Sequence, residues 1–147
     1  MNAVDDVDIL LVDDSDHDAE LTLRAFGLQP LNARVHHVFD GPEALDFLHG
    51  CGRYAGRAPV PPRLIVLDLC MPMMNGVEVL QAIRATHTLR TVPVVMMTSS
   101  DEPADIAAAY RWGANSYVTK PIDFGGFIRA AQTIGRYWFS LNESPLH

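Results

Sequence analysis

Four short stretches end on the residue types that phosphoryl chemistry would need. The apolar run in "LLVDDS" stops at two adjacent carboxylates, Asp13 and Asp14; "LIVLD" stops at Asp68, "VVMMTS" at Thr98 and Ser99, and "SYVTKP" at Lys120. Adjacent carboxylates make each other harder to ionise, so the pair calls for a cation, wide solvent exposure or a raised pKa. Three carboxylates suit a hard divalent cation with oxygen ligands, Mg2+ above all, which keeps several waters and completes its octahedron with a phosphate. Add a nucleophilic carboxylate, an ammonium to absorb charge and a hydroxyl to bind one oxygen, and the set reads as a phosphoryl site.

Such a site needs elements that bring distant positions together. Strand-length apolar runs at Val7 to Val12, Ala33 to Val38, Leu64 to Asp68, Val94 to Thr98 and Ser116 to Thr119 alternate with segments of helical period. The helical segments are "DAELTLRAFGL", "GPEALDFLHG", "GVEVLQAIRAT", "ADIAAAYRWG" and "FIRAAQTIGRYWFSL". Strands one, three and four are almost continuously apolar, as parallel strands covered on both faces must be. The expectation is a doubly wound α/β fold, in which ligands gather beyond the carboxyl ends of the strands where strand order reverses. Gly113 marks a helix stop. The long connection at residues 50–63, with its "RAPVPPR", should lie at the opposite end of the sheet, away from the chemistry. Gly125 and Gly126 weaken the first turn expected of the last helix and blur its start.

Composition narrows the partners. A chain of 147 residues, 48% hydrophobic, is sized for one domain spanning 1–147 with its core at about 7–141, and leaves no room for a separate output domain. The net charge of −7, with Lys120 the only lysine, argues against nucleic acid or an anionic membrane. Cys51 and Cys70 form no disulfide framework, the start of the chain is acidic, and no apolar run approaches spanning length; a cytoplasmic protein is expected.

The pieces "LLVDDS", "LIVLDLCMPMMNG" and "VPVVMMTSSDEPADIAAAYRWGANSYVTKP" together resemble the receiver domains of two-component response regulators, over almost the whole chain. The stretches "DGPEALDFLHGCGRYAGRAP" and "YWFSLNESP" resemble the single-domain regulators that partner phytochrome histidine kinases. The resemblance implies a flavodoxin-like five-stranded sheet of order 2-1-3-4-5 with five helices. It makes Asp68 the acceptor of a phosphoryl group from a kinase phosphohistidine. Asp14 would bind Mg2+ directly, Asp13 through water, and the carbonyl of Cys70 would be a further ligand. Thr98 would be the switch hydroxyl, Lys120 the partner of the phosphoryl oxygens, and Tyr117 the aromatic that changes rotamer with Thr98. It also implies a cis bond between Lys120 and Pro121, and a protein that assists its own phosphorylation and dephosphorylation without acting on a separate substrate.

Other readings compete residue by residue. Asp16, Asp18 and Glu20 open a helix, where acidic residues suit the positive dipole end and need no further role. An EF-hand beginning at Asp14 fails, with Ala19 in place of its glycine and Ala25 in place of its glutamate. A haloacid-dehalogenase-type phosphatase needs a second aspartate two residues after the nucleophile, where Asp68 has Cys70 and Asp13 has Ser15. A pseudo-receiver acting only as a binding module stays open. His36 and His37 point to opposite faces of one strand and cannot share a metal. Cys70 is expected as a buried or half-buried structural thiol. Phe127, Ala131, Ile134, Trp138 and Leu141 should face the core. With Tyr110, Trp112, Tyr117, Tyr137 and Phe139 nearby, the face made by helix four, strand five and helix five is either a dimer or partner surface or a wide core stripe with partly exposed aromatics.

Overall fold

Apolar β-branched and leucine-rich tetrapeptides form the centre of the molecule. The computed structural model describes residues 5–29 and 31–145; the outermost residues of the expected 1–147 domain lie outside them. The elements run β1 (Ile9–Val12), α1 (Asp16–Gly27), β2 (Val35–Val38), α2 (Gly41–His49), β3 (Leu64–Leu67), α3 (Gly76–Ala85), β4 (Val94–Thr98), α4 (Pro103–Arg111), β5 (Ser116–Thr119) and α5 (Phe124–Gly135). All five strands are parallel, in the order β2-β1-β3-β4-β5. This is the expected 2-1-3-4-5 topology. The order reverses between β1 and β3, so the residues just past Val12 and Leu67 share one crevice.

Alternation of side chains splits the core in two. Leu10, Val12, Ile65, Leu67, Val94 and Met96 face α2, α3 and α4. Ile9, Leu11, Leu64, Val66, Val95 and Met97 face α1 and α5. The three central strands are buried on both faces, whereas β2 and β5, at the edges, are mostly half-buried.

Local caps set the helix starts. Ser15, Asp40, Asn75 and Asp123 each accept a backbone N–H from the first turn, and Asn75 completes a capping box with Glu78. The Asp123 bond to Gly126 N, 2.7 Å, fixes the start of α5 at Phe124, three residues before the helical segment read from Phe127. Gly76 has a different reason: a Cβ there would overlap the Asp68 carbonyl oxygen, so only glycine lets α3 start against the end of β3.

Three expectations need correction here. Leu141 is 63% exposed and not in the core, because the chain passes from α-helical to π-helical geometry over Arg136–Leu141, and a wider turn rotates the 3.6-residue stripe off register. Among the aromatics, Trp138 and Phe139 pack toward the cluster under α1 and α5, with Arg63 lying 4.4 Å above the Phe139 ring, while Tyr110 on α4 and Trp112 just past it are half exposed. The Lys120–Pro121 bond is trans, the ordinary and slightly favoured state of an X–Pro bond. The first two strands each start two residues later than their apolar runs, without Val7, Asp8, Ala33 and Arg34, and β3 ends at Leu67, one residue before Asp68; β4 and β5 have the expected bounds.

The connection at residues 50–63 sits where expected, and it contains an unexpected buried arginine. Arg57 donates to the carbonyls of Phe47 and Val60 and stacks 3.8 Å over the Phe47 ring. Arg84 on α3 is a second unforeseen clamp. It donates to the carbonyls of Leu89, Arg90, Val92 and Gly113 and to Asn115 Oδ1. Those acceptors lie before β4 and between α4 and β5, so one side chain ties two connections together. Arg84→Met keeps much of the length and removes the donors; it is expected to cost on the order of 3 kcal/mol in urea unfolding, and a loss under 1 kcal/mol would show that water replaces the guanidinium.

Candidate functional site

The carboxyl edge of the sheet gathers every residue of the phosphoryl set. Asp13 and Asp68 leave β1 and β3 on either side of the order reversal and are buried. Asp14, next along the chain, is exposed. One carboxylate oxygen from each of Asp13, Asp14 and Asp68 lies within 4.8 Å of the others. A hard cation with oxygen ligands fits that donor set: three carboxylates converge, one of them open to solvent.

Lys120 fixes the geometry from the far side. Its backbone N–H donates to the Thr98 carbonyl at 2.7 Å, which carries β4–β5 pairing one residue past the strand and aims the side chain inward. The ammonium then donates to Asp13 Oδ2 at 2.9 Å, Asp68 Oδ2 at 3.2 Å and Asp18 Oδ2 at 2.9 Å. A lysine has three N–H donors, and all three are used. Burial alone would lower the pKa of this ammonium, but the surrounding carboxylates raise it above its ordinary value, so it stays charged.

Asp18 was expected only to serve the helix dipole; the structure places it in the site. The reason lies in the α1 cap. Ser15 Oγ accepts the Asp18 N–H, one half of a capping box. The other half is not made, because the Ser15 N–H is taken by Asp13 Oδ1 at 2.9 Å. Relieved of that reciprocal bond, the Asp18 carboxylate turns to Lys120. A serine followed three residues later by an acid is an ordinary cap signature, which is why the sequence hid this role. Asp16 and Glu20 remain exposed, as expected.

The remaining positions arrange themselves around β4. Thr98 is fully buried, and its Oγ1 lies 3.5 Å from the Ser100 N–H, at the limit of a hydrogen bond. Tyr117 OH donates to the Ser100 carbonyl at 2.8 Å. Ser100 Oγ in turn donates to Asp105 Oδ2 in the first turn of α4, at 2.5 Å. Cys70 is exposed, contrary to the expectation of a buried thiol, because it lies in the loop beyond β3; its N–H reaches Asp68 Oδ1 only at 3.4 Å. His36 and His37 point to opposite faces as expected, His36 to Tyr54 and His37 to the Asp13 carbonyl at 2.8 Å. An open pocket of about 480 Å³ leads to Lys120, lined by His17, Asp18, Leu21, Ile122 and Phe124 among others.

Fold and site together define a receiver, and the family comparison agrees: residues 9–132 match the response regulator receiver domain. The chain belongs to that family. Among curated relatives, "Probable methanogenesis regulatory protein FilR2" of Methanothrix harundinacea is 37% identical over 99% of this chain and 92% of its own length. Response regulator Rcp1 of Synechocystis is 33% identical over 93% of this chain and 92% of its own length. Rcp1 in its Mn2+-bound form superposes with a TM-score of 0.87 over 93% of this chain and 97% of its own, at 32% identity. The phosphorylated cyanobacterial phytochrome response regulator RcpA gives 0.87 and 34% over 93% and 96%. The bacteriophytochrome response regulator RtBRR gives 0.74 and 45% over 93% and 82%. Among the described residues, no helix is long and apolar enough to cross a membrane.

Burial pushes the Asp13 carboxyl up to about 6, although Lys120 pulls it down. Without a cation, the folded protein therefore holds, between about pH 4 and 6, a proton that the unfolded chain has released. That contribution to stability is present below about pH 4 and is lost as pH rises through 6. In chelator, urea unfolding from pH 4 to 7 is expected to show wild type losing stability relative to Asp13→Asn as pH rises; parallel curves would mean that Asp13 ionises at its ordinary value.

Proposed function

We propose that this chain is a phosphoacceptor switch in which Asp68 takes a phosphoryl group from the phosphohistidine of a sensor kinase of the phytochrome type. The observation that carries the reading is the Asp68 carboxylate itself. It stands at the order reversal with the Lys120 ammonium 3.2 Å from one oxygen and two further carboxylates close enough to share a cation. RcpA and RtBRR, named as phytochrome regulators, support the choice of kinase. Mn2+-bound Rcp1 supports a divalent cation, for which Mg2+ is the proposed choice.

Asp13, Asp14, Asp68 and the carbonyl of Cys70 would hold the cation. When bound, Mg2+ offsets charge on the phosphoryl oxygens. The chain's own residues do the rest. Asp68 attacks phosphorus in line, Lys120 receives a phosphoryl oxygen, and the Thr98 hydroxyl moves toward another. The Thr98 shift opens room for Tyr117 and biases a two-state equilibrium of the α4–β5 face. No separate substrate is turned over; the domain assists only its own phosphorylation and dephosphorylation. A cytoplasmic location is the accompanying proposal, and another protein or a second copy reads the change.

Incubation with acetyl phosphate and Mg2+ is expected to add one phosphoryl mass to wild type, and none to Asp68→Asn or without Mg2+. No adduct on wild type, even with beryllofluoride as a mimic, would leave a binding module that keeps the pocket without its chemistry. The second copy is the proposed reader through α4, β5 and α5, where Tyr110 and Trp112 are 50% and 44% exposed. The beryllofluoride form is expected to sediment as a dimer at tens of micromolar protein, and Trp112→Ala as a monomer; a wild-type monomer would remove the dimer.

A further inference from the structure

Resting on that phosphoacceptor reading, we propose that Asp18 is a positioning residue that holds the Lys120 ammonium beside Asp68 throughout the transfer. Lys120 has three anionic partners, and two of them, Asp13 and Asp68, belong to the oxygen set that faces the cation. Asp13 and Asp68 would be shared with a bound dication, whose charge would oppose that of the ammonium. Asp18 is outside it, yet its Oδ2 lies 2.9 Å from Lys120 Nζ. Its charge therefore stays with Lys120 when the other two are shared.

The α1 cap keeps Asp18 available for this. The Asp13 Oδ1 bond to the Ser15 N–H removes the backbone donor that an acid at this helical position would otherwise cover. Asp13 thus binds Lys120 with one oxygen and, with the other, frees Asp18 to bind it as well. Asp18 also lines the open pocket that leads to Lys120, together with Ile122 and Phe124.

In the transfer, an Asp68 oxygen forms the new P–O bond while the donor's P–N bond breaks. The electron pair leaves with nitrogen, which takes a proton from water. Lys120 must then exchange its Asp68 bond for a phosphoryl oxygen. With Asp18 retained, that exchange is a short swing about a fixed anchor. Without it, the ammonium starts from whatever position the cation leaves to it.

The test uses phosphoramidate at saturating Mg2+, with rates read by intact mass for wild type, Asp18→Asn and Asp18→Glu, and for Lys120→Gln with and without Asp18→Asn. Asp18→Asn is expected to slow labelling by roughly tenfold, with thermal unfolding close to wild type, and Asp18→Glu to recover part of the rate. In the Lys120→Gln background, Asp18→Asn should change nothing, since the two residues act as one unit. If Lys120→Gln labels too slowly to follow, beryllofluoride affinity on the same proteins gives the coupling; if it fails to fold, the Asn and Glu variants decide. An Asp18→Asn protein that labels at the wild-type rate overturns the inference, as does an equal loss in both backgrounds. Wild type that never labels would instead sink the phosphoacceptor reading.

Discussion

Without the Lys120 ammonium, the carboxyl edge of this sheet would hold Asp13 and Asp68 as two buried anions with no counter-charge from the chain. Burying an ion costs several kcal/mol even after relaxation, and losing one member of a buried pair typically costs about 3–5 kcal/mol. The ammonium meets that demand only because its position is fixed from two directions. Its backbone is held by the Thr98 carbonyl, and its head by three carboxylates from β1, α1 and β3. The first contact belongs to the sheet and the second to the chemistry, so the stability of the fold and the readiness of the site are one arrangement.

The rest of the architecture keeps that arrangement tight. Gly76 lets α3 begin against the Asp68 carbonyl, which seats the backbone that carries the acidic side chain. The Asp13 carboxylate is occupied at both oxygens, by Ser15 and by Lys120. Apolar layers on both faces of β1, β3 and β4 exclude water from beneath the site. Inside such a layer a charge is felt more strongly than in bulk solvent, which is why burial can push Asp13 up while Lys120 stays protonated.

What was legible in the sequence was whatever depends on period and on strand ends. The five parallel strands and the convergence of Asp13, Asp14, Asp68, Thr98 and Lys120 follow from apolar runs that stop at polar residues, whereas the strand order came only from the family resemblance. What was not legible depends on competition between partners far apart in the chain. Asp18 read as a helix-start acid because nothing in "SDHD" tells that the Ser15 N–H is already engaged. Arg57 and Arg84 drew no reading from the sequence, since an arginine buried among carbonyls has the same letter as one in water. Leu141 read as core because a heptad-like stripe assumes an unbroken α-helix, and the π-helical turn over Arg136–Leu141 ends that assumption.

Helix α4 is held differently at its two ends. Past its carboxyl end, the Gly113 carbonyl is gripped by Arg84; at its amino end, the ties are the Ser100 hydroxyl to Asp105 and to the Glu102 N–H. The helix is mechanically a boom with its foot bolted and its tip on a cable, and the cable leads to the residue that also receives Tyr117. Its nine residues span roughly 13 Å, so a pull of about 1 Å at the tip would swing it through roughly 4°. Such a swing leaves the foot and the sheet in place and displaces most the surface nearest the phosphoryl site, so a reader of the signal gains most by gripping the amino-terminal turn.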